Sequence, residues 1–270
     1  MSKILTLIAA AAAITAATLS AFAQAQPSSA PRPAAVLAAQ PIRNIVLVHG
    51  AFADGSGWRG VYDELVKRGY RVSIVQNPLT SLADDVAATR RVLARQDGPA
   101  VLVGHSYGGS VITEAGDDPK VVGLVYVTAF APDVGESAGD QFRVVPPLPN
   151  LVVDPQPDGF GFFNAENFQA GFAGGASDAD ASFLRDSQVP VALAALDAKV
   201  SVAAWRTKPS AFVVATEDGS IDPRLQRHMA NRIGAATTDV QGSHLVFFTQ
   251  PRAVADVIDR AARTMGSAQR

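Results

Sequence analysis

The chain of 270 residues contains no cysteine. That removes a thiol nucleophile, a thiolate metal site, dithiol redox chemistry and any disulfide framework. Histidine is scarce as well. Only His49, His105, His228 and His244 occur, no two of them at H-E-x-x-H spacing, so no metal-ligand cluster is expected. Charged residues make up only 18% of the chain, with a formal net charge of −2 and no block of like charge. The basic footprint of a nucleic-acid binder is therefore missing. Beyond Leu19 no apolar run is long enough to cross a bilayer.

Apolar residues are plentiful, at 48%, enough for one large domain with a sizeable core. Residues 1–25 stand apart from it. Lys3 gives a short positive start, an Ala-rich apolar run extends from Ile4 to about Leu19, and Ala21-Phe22-Ala23 follows, with Ala23-Gln24-Ala25 as an alternative. Small residues at the −3 and −1 positions after so short a run are the pattern of a cleaved export signal rather than a membrane anchor. The expectation is an exported chain, periplasmic or secreted, with no stable membrane insertion after cleavage. Residues 26–42, with Pro27, Pro31, Pro33 and Pro41 among Ala, Ser and Gln, read as a linker.

From residue 43 onward strand and helix patterns alternate. Ile45–Val48, Tyr70–Val75, Ala100–Val103, Val121–Val127, Phe212–Ala215 and Thr237–Val240 read as strands. Several are continuous β-branched runs, as expected of strands buried on both faces of a parallel sheet. Helices are expected over Trp58–Arg68, Leu82–Ala94 with Ser81 as N-cap, Ser106–Ala115, Pro223–Ile233 and Arg252–Arg263. The fold class is α/β, a mostly parallel sheet with helices on both faces. Residues 131–208 break the rhythm with a Pro-rich stretch and then a Gly- and Phe-rich one. Only Ala179–Arg185 and Val191–Arg206 look helical there. An insertion of that length is usually functional, and it is read as a cap over the site.

Gly104-His105-Ser106-Tyr107-Gly108 lies between a strand and a helix. A serine hydroxyl is a poor nucleophile until it is exposed to a base at a fixed angle, and a sharp strand-to-helix turn supplies that angle. A second G-x-S-x-G match, around Ser137, leads into a Pro-rich stretch and reads as a loop. After the first strand, His49-Gly50-Ala51 lets the backbone approach the substrate. The N–H groups of Ala51 and Tyr107 would form a two-donor oxyanion hole. His244, in the loop after the last strand, is the expected base. His49 and His105 read as packed and His228 as solvated. The acid should follow Phe212–Ala215. Asp218 is preferred there, with Glu217 and, more distantly, Asp222 as alternatives, and Asp133 after the preceding strand as a further one.

Over residues 43–265 the chain resembles the α/β-hydrolase superfamily. Val46–Ala51, Gly104–Gly109 and Gly242-Ser243-His244 resemble the branch that holds plant-type methylesterases, hydroxynitrile lyases and related bacterial esterases. The order Ser106, Asp218, His244 matches that superfamily. The resemblance implies an acyl-enzyme mechanism on a small-molecule ester, with no cofactor and no metal. The lyases of this branch carry Thr at the position of Gly50 and Lys at that of Leu245, and this chain departs from them at both. A lactone, an amide or a C–C substrate on the same three residues is the alternative within enzymes. A non-catalytic binding protein of the same fold is the alternative outside them.

Overall fold

The structure is a computed structural model that describes residues 42–267. The expected export signal and most of the linker lie outside the described residues. Ile42 is already buried against the folded unit.

Six strands form one parallel sheet: β1 (Asn44–Val48), β2 (Arg71–Val75), β3 (Ala100–His105), β4 (Val121–Val127), β8 (Ser210–Ala215) and β9 (Ala236–Val240), in the order β2-β1-β3-β4-β8-β9. The continuous apolar runs occupy the middle of the sheet. β1 and β3 are buried throughout, whereas the edge strands β2 and β9 are half exposed. β2 lies on one side of β1 and all later strands lie on the other. The chain therefore reverses between β1 and β3, and a crevice opens at their carboxyl ends. Register aligns those ends: Val48 pairs with Gly104, His105 with Val127 and Ala215 with Val240. The loops after β1, β3, β4, β8 and β9 thus meet at one edge.

The crossover helices follow from the same order. α1 (Arg59–Lys67) and the closing α9 (Pro251–Ser267) pack together, and α2 (Leu82–Ala94) packs with α3 (Gly108–Ala115). Right-handed crossovers place these pairs on opposite faces. The Ser81 hydroxyl accepts from the Asp84 N–H and starts α2 as the pattern predicts.

Between β4 and β8 the chain forms a small antiparallel sheet of β5 (Val153–Pro155), β6 (Phe160–Phe163) and β7 (Val191–Ala192), with short helices α4 (Phe168–Gly171), α5 (Asp178–Asp186) and α6 (Leu193–Leu196). α5 is where the pattern predicts it. The expected helix over Val191–Arg206 is not formed beyond the single turn of α6 and a 3-10 turn at Ala204–Arg206. The main chain there is used for tertiary bonds instead: Ala192 N–H donates to Leu79 O and Leu193 N–H to Gly159 O. α7 (Pro223–Arg232) and α8 (Val246–Thr249) complete the α-helices among the described residues.

Candidate active site

Ser106 falls between β3 and α3 with φ of +53°, in the left-handed region. A non-glycine residue there costs of order 1–3 kcal/mol and persists only when its surroundings over-determine it. They do so here. The Ser106 N–H donates to Val127 O, and its carbonyl accepts from the N–H groups of Gly109 and Phe130. A Cβ on Gly50 would stand 2.8 Å from the Ser106 Cβ and 2.9 Å from His105 O, so the loop after β1 reaches the serine only as glycine.

Ser106 Oγ lies 2.9 Å from His244 Nε2, and His244 Nδ1 lies 2.9 Å from Asp218 Oδ2. A carboxylate only accepts, so Nδ1 carries the hydrogen and Nε2 is left to accept from the serine hydroxyl. Asp218 is held on every side. Its Oδ1 accepts from the Ser220 and Ile221 N–H groups, and its Oδ2 also accepts from Gln226 Nε2 at 2.8 Å. Gln226 is fully buried on α7; its Oε1 takes the Ala215 N–H and its Nε2 also donates to Ile221 O.

The main chain of His244 is anchored too. Its carbonyl accepts from His105 Nε2 at 3.0 Å and from the Thr128 hydroxyl at 3.2 Å. Burial, then the neighbouring His244, pushes the His105 ring well below the usual histidine range, so it stays neutral and donates from Nε2. The rings of His105 and Phe172 lie against His244, with centroids 4.7 and 5.1 Å away.

Ala51 and Tyr107 both line the cavity that contains Ser106 and His244. His49 secures the first of these loops. The Asn77 N–H donates to its Nε2, so its Nδ1 donates to Gly50 O at 2.9 Å. Burial lowers its pKa and keeps it in that neutral form.

The other candidates are occupied elsewhere. Glu217 accepts from Gln241, Asp222 caps α7 and pairs with Arg224, and Asp133 pairs with Arg206. Ser137 bonds Asp140. His228 is exposed. Two buried polar residues that no motif marks are bonded to residues of this site, Gln226 to Asp218 and Asp85 to the Tyr107 hydroxyl. Both occupy helix positions whose neighbours at three and four residues are buried: Met229 and Ala230 for one, Leu82, Ala88 and Thr89 for the other. A polar side chain on an apolar stripe was the signal.

The cavity encloses about 340 Å³, and its walls are mostly apolar, including Phe130, Phe142, Leu151, Phe163 and Phe172. The segment between β4 and β8 supplies several of these side chains and is fastened to the site's own loops. Ser220 Oγ donates to Gly171 O at 2.7 Å, and Ser243 Oγ donates to Gly174 O. Among the described residues no group of three or more His, Asp or Glu is placed to hold a metal ion, and no helix is long and apolar enough to cross a membrane.

The family model for the "Alpha/beta hydrolase family" matches residues 45–257. A carbendazim hydrolyzing esterase of Nocardioides sp. (strain SG-4G) is 40% identical over 108 residues, which cover 35% of this chain and 45% of that protein. The match thus spans less than half of that relative's length. A pyrethroid hydrolase of Sphingobium wenxiniae is 27% identical over 250 residues, covering 80% of this chain and 86% of the relative. The crystal structure of polyneuridine aldehyde esterase has the same fold, with a TM-score of 0.69 at 20% identity, covering 81% of this chain and 99% of that one.

Proposed function

The chain belongs to the alpha/beta hydrolase family, and on that premise we propose that it hydrolyses carboxylic esters through an acyl-enzyme on Ser106. The observation that carries this reading is the unbroken line from Ser106 Oγ through His244 to Asp218, both links 2.9 Å, opening into an apolar cavity. The two relatives described above, one an esterase and one a pyrethroid hydrolase, support hydrolysis as the reaction.

Ser106 Oγ attacks the ester carbonyl carbon while His244 Nε2 takes its proton. The carbonyl π pair becomes an oxyanion held by the N–H groups of Ala51 and Tyr107. Asp218 keeps the imidazole in the required tautomer and stabilises the imidazolium that forms. The intermediate collapses, the alcohol leaves with the proton from His244, and water repeats the sequence on the acyl-enzyme. The crowding at Gly50 agrees with this reading, because the Thr of the lyase pattern has no room there without displacing the serine. The apolar walls favour neutral esters with an apolar or aromatic group. We further propose that residues 1–25 are removed on export, so that the enzyme works in the periplasm or outside the cell.

Replacing Ser106 by Ala tests the reaction. Hydrolysis of a p-nitrophenyl ester and labelling by a fluorophosphonate should both vanish, with the circular dichroism spectrum unchanged. Labelling that persists in Ser106→Ala, or that maps to Ser137, rejects the assignment.

A further inference from the structure

Besides Asp218 and Asp222, Asp85 is the only buried carboxylate among the described residues. Asp222 has Arg224 beside it and Asp218 has His244, but among the described residues no Lys or Arg forms an ion pair with Asp85. A buried carboxylate with no cation is costly, and a helix core position gives no local reason for one. Its two oxygens are nonetheless spoken for. Oδ1 accepts from the Leu79 N–H at 2.8 Å, and Oδ2 accepts from the Tyr107 hydroxyl at 2.8 Å.

Both partners lead to the site. Tyr107 directly follows Ser106, is buried, and lines the cavity. Leu79 adopts a left-handed backbone, φ of +58°, and its carbonyl accepts from Ala192 N–H on β7. Asp85 therefore joins α2, the turn that carries Ser106 and the small sheet above it. A hydrogen bond from a hydroxyl to a carboxylate is among the stronger kinds. This one grips the Tyr107 ring at the end farthest from its backbone.

We propose that Asp85 is a positioning residue that, through the Tyr107 hydroxyl, holds the Tyr107 N–H at the angle the oxyanion requires. The proposal rests on the ester-hydrolase reading of the site. It assigns Asp85 and the Tyr107 side chain to the transition state rather than to substrate binding.

The test uses the full folded domain as wild type, Tyr107→Phe and Asp85→Asn. Active sites are counted by fluorophosphonate labelling, so that kcat is expressed per competent site. Steady-state constants are measured for p-nitrophenyl butyrate, and Ki for a trifluoromethyl ketone. The serine oxygen adds to that ketone's carbonyl carbon, its proton passes to His244, and an oxyanion forms in the hole. Tyr107→Phe should lower kcat per labelled site about tenfold, part of the loss seen when a whole donor is removed. The ketone Ki should rise by a similar factor, with KM within about twofold of wild type. Asp85→Asn keeps the shape of the side chain and should lower kcat and raise Ki in the same direction.

If both variants keep wild-type kcat per labelled site and wild-type Ki, the proposal is overturned, whatever their melting temperatures. A wild type that neither turns over esters nor labels at Ser106 instead overturns the ester-hydrolase reading, and the proposal with it.

Discussion

At the residue scale, the site depends on side chains that never meet a substrate. Gln226 is the clearest. Its amide joins three otherwise buried groups, the Ala215 N–H, the Ile221 carbonyl and Asp218 Oδ2. Gln226→Leu leaves the Ala215 N–H and the Ile221 carbonyl without this partner and leaves Asp218 Oδ2 with His244 alone, and each buried group left unsatisfied costs about 1–3 kcal/mol. The Asp218 loop should loosen, so the expected outcome is a melting temperature lower by several degrees together with a lower kcat. Gln226→Glu, which keeps an acceptor for Ala215 N–H but puts a carboxylate against Asp218, should impair kcat at least as much. Calorimetry and ester kinetics on the two variants check this, and wild-type values in both would remove Gln226 from the site. The turn at Ser106, the loop of His244 and the strand end before Asp218, which the structure brings together, stand out in the sequence because each is a local pattern at a strand end. What separates Asp218 from Glu217, Asp222 and Asp133 is tertiary: each alternative has another partner, and no local pattern names those partners.

At the scale of elements, the central strands of the main sheet were legible because strands buried on both faces must be apolar throughout. The cap was less so. Its strands are two to four residues long and carry little periodic signal, and β7 is held by its pairing with β6 and by the Ala192 N–H bond to Leu79 O, both of them tertiary. The β5–β6 hairpin did leave a trace in Pro157-Asp158-Gly159, where Gly159 takes φ of +86° and Asp158 accepts from the Phe160 N–H. Strand alternation then decides which phenylalanines face the cavity. Phe163 is buried, lines the cavity and packs against Phe52, Phe168 and Phe172, whereas Phe162, one residue earlier, is not part of the lining. Phe163→Leu, chosen to limit the packing loss, should change the ratio of kcat/KM for aromatic to acetate esters several-fold, since burial is worth about 25 cal/mol per Å². Phe162→Leu should leave that ratio within about twofold. Equal effects from the two would mean that the cap acts on selectivity only through its overall stability.

At the scale of the whole molecule, the buried titratable groups pull the stability curve in opposite directions, and Asp85 can be isolated from the rest. Burial raises Asp85 from 3.8 to about 6, against the hydrogen bonds from Leu79 and Tyr107, which lower it. The folded state therefore holds this proton more tightly than the unfolded chain does. The resulting stabilisation is complete below pH 3.8 and is lost as pH rises through about 6. His49 and His105, both lowered by burial, act the other way: their stabilisation is present above pH 6.5 and is lost as pH falls below it. An acid titration of the wild type alone mixes the two. The difference between wild type and Asp85→Asn cancels the histidines, because neither is altered by the substitution. Over its full range the Asp85 contribution is of the order of 3 kcal/mol, and roughly half of that falls between pH 5 and pH 7.5. Urea unfolding of both proteins at those two pH values should therefore find Asp85→Asn gaining stability on the wild type by about that amount at the higher pH. The same variant is expected to be the slower catalyst, so a carboxylate that costs stability at neutral pH would be one kept for the turn that carries Ser106. A stability difference that is flat with pH, or that moves in the wild type's favour as pH rises, would mean that Asp85 is not buried as an uncompensated charge, and the trade between stability and rate would not exist.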